Sequence, residues 1–222
     1  MGKVVSFYGN KDPREVPLYA APHVASHLRI PVSTIRAWVR ANLIKPSADG
    51  LLSFNTLTEA YVLATLRREY KFSMRKIVET MECVESSFGK RRPLLNADLI
   101  TDGTILFLVE ENGQTFDVMD SKRQSVIVQV MTASLHRIER DMEGAPRVLY
   151  PYLEKPTEKQ LISIDPRRSF GRPVVADTSI LVEVLAERFR SGESKAALMN
   201  DYQLTAEKVN AAIKWHSDRQ AA

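Results

Sequence analysis

The stretch APHVASHLRIPVSTIRAWVRANLIKP, residues 21–46, constrains the fold of this 222-residue chain more than any other. Apolar residues recur at helical spacing on both sides of a proline. Val24, Ala25 and Leu28 predict a first short helix, with Pro22 near its start, where a missing N–H costs nothing. The turn Ile30-Pro31-Val32 breaks it. A second helix then aligns Ile35, Trp38 and Val39 on one face, with Ser33 as its expected cap. Ala25 is small where the second helix must cross closely, and Ile35, ten residues on, anchors that helix. Two short helices, a tight turn and a buried second-helix stripe describe a helix-turn-helix. The stripe leaves Ser33, Thr34, Ala37 and the i, i+4 pair Arg36 and Arg40 facing outward. A short face of hydroxyls and arginines fits a major groove, because arginine takes guanine edges bidentately and hydroxyls reach phosphates or bases. Arg29 stands in the turn where many such motifs carry glycine. If the backbone there has positive φ, the side chain costs about 1 kcal/mol.

Asp49-Gly50 is a hairpin signal, so a small wing is expected after the second helix. Thr56 is the expected cap of a helix to about Tyr70, with Leu57, Tyr61, Ala64 and Leu66 inward. Ser73 is the expected cap of another, whose stripe of Met74, Ile77, Val78, Met81 and Val84 reads as core. Taken together, STIRAWVRANLIKP, the wing, LSFNTLTEAYVLATLRR and FSMRKIVETM resemble the winged helix-turn-helix of MerR-type regulators over residues 19–84. The resemblance implies DNA contacts at Thr34, Arg36, Arg40 and, at the wing base, Lys45. Ser33 joins them from the outward face. The chain departs from that family in lacking a long dimerising coiled coil and a cysteine effector pocket, so metal or redox sensing is not implied.

Residues 93–160 read differently. Turn signals at Asp102-Gly103 and Asn112-Gly113 predict short strands around 104–109 and 114–118. Val126, Ile127, Val130, Met131, Leu135 and Ile138 keep a helical stripe, which favours a helix over the strand that their β-branching also suggests. PRVLYPYL reads as an extended edge, and residues 155–160, KPTEKQ, as a linker.

In the tail, SIDPRRSFGRPVVADTSI reads as a short hairpin turned by Asp165-Pro166 and opened at Gly171. ILVEVLAERFRSG is an amphipathic helix. Ser194 and Thr205 are expected to cap two more, the last with Val209, Ala212 and Ile213 inward. The three helices form a compact unit, itself a helix-turn-helix variant. The pattern I-x-I-D-P, G-R-P-V-V-x-x-T, S-G-E-S and DYQLTAEKVNAAIKW resembles, over residues 161–217, a small domain family first known only as of unknown function. That family is widespread as the antitoxin of type II toxin–antitoxin operons. A MerR-like domain joined to such a tail looks like the longer antitoxins of the VapB type. Their usual partner is a PIN-fold toxin, a metal-dependent ribonuclease. The resemblance implies two tasks, repression of the operon at promoter DNA and neutralisation of the toxin. Arg167, Arg168 and Arg172 are candidates for the toxin or dimer interface, since a guanidinium pairs bidentately with carboxylates.

The expected class is therefore α+β, mainly α. It comprises an N-terminal arm (1–18), a winged helix-turn-helix (19–92), a middle α+β region (93–160) and a C-terminal hairpin plus three-helix domain (161–222). Charge agrees with this division. Residues 1–92 hold 15 Lys and Arg against 8 Asp and Glu, residues 93–160 hold 7 against 11, and residues 161–222 hold 9 against 8. A basic N-terminal third suits nucleic acid. With 44% hydrophobic and 26% charged residues the chain is ordinary for a globular protein. A single cysteine, Cys83, allows no internal disulfide and no cysteine metal cage. No run approaches a membrane span, so a cytoplasmic, soluble protein is expected, with no membrane partner and no cofactor.

Catalysis finds little support. The histidines His23, His27, His136 and His216 are scattered; His23 and His27 are i, i+4, but no third ligand accompanies them, and both read as surface residues. Phosphate-loop and nucleophile-elbow motifs are missing. Asp165, Asp177 and Asp201 read as turn chemistry rather than a nuclease carboxylate set. Two binding functions remain. One is an antitoxin that binds promoter DNA as a homodimer on a symmetric operator. The alternative is a stand-alone MerR-like regulator whose middle domain senses a small molecule.

Overall fold

A computed structural model of the chain describes residues 11–70, 75, 78, 92–95, 133–152, 155 and 157–220. Among the described residues helices dominate, with two small antiparallel two-stranded sheets, which is the α+β class. Helix α1 spans Ala21–Leu28 and α2 Val32–Arg40. The expected cap Ser33 lies inside α2. Pro31 occupies the cap position with extended backbone, since its ring cannot extend the α1 ladder but fits just before a helix. Helix α3 spans Phe54–Tyr70. Its cap is Ser53 rather than Thr56: the Ser53 Oγ accepts the Thr56 N–H at 3.2 Å. The Ser47–Leu51 loop, with Gly50 at φ 75°, turns the chain back so that Leu52 pairs with Tyr19.

Every residue from 52 to 66 is buried, so α3 runs through the core rather than along it. Its inward set Leu57, Tyr61, Ala64 and Leu66 is as expected. Most polar groups between them have partners among the described residues, the buried Asn55 Oδ1 excepted. Thr58 and Thr65 donate back to Phe54 O and Tyr61 O, Asn55 donates to Glu15, and Arg92 reaches Glu15, Glu59 and Thr56. Arg68, at the far end of α3, donates to Leu28 O, a carbonyl that the end of α1 leaves open.

Strands β1 (Ile138–Arg140) and β2 (Pro146–Leu149) pair antiparallel with Ile138 opposite Leu149. Residues 133–135 are helical, but Ile138, placed by its spacing on a helix, opens β1 instead. Its pairing with Leu149 is a non-local constraint that local spacing does not carry. PRVL forms the extended edge expected. Arg75 and Val78 are helical. The rest of the Met74–Val84 stripe, the expected strands at 104–109 and 114–118, most of the 126–138 helix and Cys83 lie outside the described residues.

Strands β3 (Ile162–Ser163) and β4 (Val174–Val175) form the predicted tail hairpin. Helices α4 (Val182–Arg190), α5 (Lys195–Tyr202) and α6 (Ala206–Gln220) follow. Ser194 caps α5 and Thr205 caps α6 as expected, accepting the N–H groups of Ala197 and Lys208. Two apolar clusters result. One joins α1, α2 and α3 with Leu135, Ile138, Leu149, Tyr152 and Ile164. The other lies inside the tail, around Ile162, Val175, Leu185, Leu198, Val209 and Trp215.

The stretch between the sheets is tied down. Arg137, 2% exposed, donates to Tyr150 O at 2.6 Å, Glu158 O at 2.7 Å and Pro151 O at 3.3 Å. Leu149 and Ile164 exchange both backbone hydrogen bonds, at 3.0 and 2.8 Å, so the middle sheet and the tail hairpin touch through paired backbone. Among the described residues no helix is long and apolar enough to cross a membrane.

Candidate nucleic-acid interface

Helix α2 has two contrasting faces. Ile35 and Trp38 are fully buried, while Ser33, Arg36 and Arg40 are exposed and Thr34 half-buried. The side chains of Ser33, Arg36 and Arg40 form no hydrogen bond or ion pair among the described residues. Lys45, exposed just before the Ser47–Leu51 loop, is likewise uncommitted among the described residues. Most other arginines of the described core are spent on carboxylates, carbonyls or rings, so an open cationic face on α2 stands out.

The turn that aims α2 answers the question raised by Arg29. Its backbone is left-handed, φ 53° and ψ 47°, and its N–H closes onto Ser26 O while Ile30 N–H closes onto Ala25 O at 3.0 Å. The chain repeats this geometry in the tail. There α5, also eight residues long, ends at Gln203 with φ 53° and ψ 41°, and Leu204 N–H closes onto Met199 O at 3.0 Å. In each pair the second helix starts three residues after the left-handed one. Aligned on these turns, Ile35 and Trp38 match Val209 and Ala212, all fully buried. Ser33, Arg36 and Arg40 match Glu207, Asn210 and Lys214, all exposed.

Chemistry separates the two pairs. In the tail, Glu207 is held by Lys159 at 2.7 Å, and Lys208 donates to Ala176 O at 2.8 Å and approaches Asp177 at 3.3 Å. An acidic residue where α2 has Ser33, and a lysine turned onto its own domain, make a poorer face for a polyanion. Phosphate contacts need cations with a free head group, and α2 supplies two.

The tail arginines sit on a tightly wound loop. Asp165, 5% exposed, accepts the Arg167 N–H at 2.8 Å. Ser169, Phe170 and Gly171 follow with φ of 48°, 55° and 69°, three left-handed residues in a row. Arg167 is exposed with no ion pair among the described residues, Arg168 lies 3.7 Å from Asp165, and Arg172 pairs with Glu183. Phe170 is 54% exposed between them. The loop is fixed at its base, where Tyr19 Oη donates to Gly171 O at 3.0 Å.

The scattered histidines and aspartates do not converge. His23 is exposed, but His27 is buried, edge-on to Tyr19 at 6.1 Å, which corrects its reading as a surface residue. It occupies the inner face of α1 beside Val24 and Leu28. Asp177 faces Lys208 and Asp201 faces Arg188. Among the described residues no three His, Cys, Asp or Glu side chains gather where a metal ion could bind.

Residues 162–215 match the family model described as "Protein of unknown function (DUF433)". Across 90% of this chain and 93% of the relative, the chain is 23% identical to a protein of Mycobacterium tuberculosis (strain ATCC 25618 / H37Rv) named "Putative antitoxin VapB45". The crystal structure of Rv2018 from Mycobacterium tuberculosis superposes with a TM-score of 0.71 at 22% identity, covering 90% of this chain and 98% of that one. That likeness shows a shared fold along nearly the whole chain. Together the matches support an antitoxin-like family.

Proposed function

We propose that this protein is a DNA-binding antitoxin that represses its own operon and neutralises a PIN-type ribonuclease. In this reading α1 and α2 form a MerR-like winged helix-turn-helix. Helix α2 enters the major groove of promoter DNA, with Arg36 and Arg40 toward bases or phosphates and Ser33 and Thr34 beside them. Lys45 meets the backbone from the wing base. The observation that carries the DNA half is the uncommitted cationic face of α2 opposite the buried Ile35 and Trp38. The antitoxin half is supported by the match of residues 162–215 and by the named relative.

The toxin or a second copy of the chain meets the loop of Arg167, Arg168 and Arg172. A PIN nuclease holds its metal with carboxylates, and a guanidinium is the side chain best shaped to pair with them. Two copies bind a symmetric operator. Co-expression with the product of the neighbouring gene tests the antitoxin half. Rescue of growth and co-purification are expected; a neighbour that is neither toxic nor retained contradicts it.

A further inference from the structure

We propose that Arg29 is a positioning residue for the DNA-reading helix, acting through Trp215 of the C-terminal domain. The proposal rests on the DNA-binding reading of α2. Arg29 occupies a left-handed position that glycine would fill without strain, three residues before α2 begins. Its guanidinium lies over the Trp215 indole, Cζ 5.6 Å from the ring centroid. Trp215 is fully buried in the tail core, so the cation sits on a rigid, desolvated ring.

The matching turn in the tail shows what a purely local side chain does there. Gln203 turns back and donates to Asn200 O on its own helix at 2.6 Å. Arg29 instead reaches across to another domain.

A second contact makes the reach consequential. Just before α1, Tyr19 Oη donates to Gly171 O at 3.0 Å. Helix α1 is eight residues, about 12 Å long. The C-terminal domain therefore holds the chain at both ends of α1. With the Tyr19 contact alone, the core that α1 and α2 share with α3 could pivot on the tail about that end. The Arg29–Trp215 stack removes the pivot and sets the direction in which the first turn of α2, with Ser33 and Thr34, points. Operator recognition by two copies needs a fixed direction, because half-site spacing is a geometric constraint.

Promoter binding by Arg29→Gly, Arg29→Lys, Trp215→Phe and the Arg29→Gly/Trp215→Phe double variant tests this, titrated over salt. Arg29→Gly suits the backbone, so its folding is not in question. Its affinity is expected to fall about tenfold, the scale of a desolvated cation–π contact. The slope of log affinity against log salt is expected to stay as in the wild type, because the Arg29 guanidinium is engaged by the Trp215 ring rather than by phosphate in this proposal. Arg29→Lys keeps a cation over the ring and should recover most of the loss. The double variant should be no weaker than the weaker single.

Wild-type affinity in Arg29→Gly overturns the positioning role and leaves the DNA reading intact. A salt slope shallower by about one in Arg29→Gly makes Arg29 a direct phosphate contact and also overturns it. Wild-type protein with no salt-dependent promoter binding refutes the DNA reading, and the positioning role falls with it.

Discussion

Gly171→Ala tests the joint between the two halves of the molecule. A Cβ at Gly171 would lie 2.1 Å from Tyr19 Oη, 3.0 Å from Tyr19 Cζ and 3.3 Å from Leu18 Cδ1. Contacts that short force the tyrosine ring away, and overpacking of this kind costs about 1–3 kcal/mol. Moving the ring breaks the buried hydrogen bond to Gly171 O, a net loss of about 1 kcal/mol. The backbone at φ 69° adds about 1 kcal/mol of strain for any side chain. The expected total is about 3–5 kcal/mol, a large part of the stability of an ordinary domain. Urea denaturation followed by circular dichroism measures it. Gly144→Ala is the control: its φ is 79° and nothing lies within 4 Å of the added Cβ, so only the strain of about 1 kcal/mol remains. Tyr19→Phe removes the oxygen nearest the clash. Alone it should cost about 1 kcal/mol, and combined with Gly171→Ala it should cost less than the sum of the singles. A Gly171→Ala protein no less stable than Gly144→Ala, or strict additivity with Tyr19→Phe, would refute the packing argument.

Arg137→Ala leaves the carbonyls of Tyr150, Pro151 and Glu158 without their shared donor. A loss of about 3–5 kcal/mol in the same denaturation assay is expected, since each bond to a charged group contributes about 1.5–3 kcal/mol and the three are not additive. Acid sensitivity concentrates where the N-terminal segment meets the β1–β2 turn. The Ala145 N–H lowers the Asp141 carboxyl most; slight burial opposes it, and the Glu143 N–H and the Arg14 guanidinium lower it further. Burial raises Asp12, but its bonds to Arg14 outweigh that and hold it low as well. A depressed carboxylate stabilises fully above its unfolded pKa, about 4, and that stability is lost as pH falls through the lower folded value. Urea midpoints measured from pH 7 downward should therefore hold until about pH 4 and then drop. Asp141→Asn should start lower and drop less, and an unchanged profile would contradict the assignment.

Much of the fold was legible because local chemistry decides it. Pro31, Ile35 and Trp38 specify the α1–α2 pair, and Ser194 and Thr205 cap the helices they precede. A cap is ambiguous where two candidates compete: Ser53 and Thr56, three residues apart, both carry hydroxyls, and only the first stands just outside the helix. The burial of α3 on all sides was not legible. Glu59 and Asn55 meet their partners in Arg92 and Glu15, which are distant in sequence. Ile138 kept helical spacing with its neighbours but answers to Leu149 across a strand pair. At the candidate interface, the outward positions of α2 followed from periodicity alone. The departure at Arg29 was visible as an oddity, but its reason, an indole 186 positions later in the chain, needed the tertiary structure.

The central claim is that α2 presents a DNA-reading face. Fluorescence anisotropy with duplex DNA from upstream of the gene, titrated over salt, tests it most directly on wild type and on the Arg36→Ala/Arg40→Ala double variant. Neither substitution touches the core, so the fold should persist. The account predicts that the double variant binds at least tenfold more weakly, with a salt slope shallower by about two, one per lost phosphate or base-edge cation. Equal affinity and equal slope in the two proteins would contradict it.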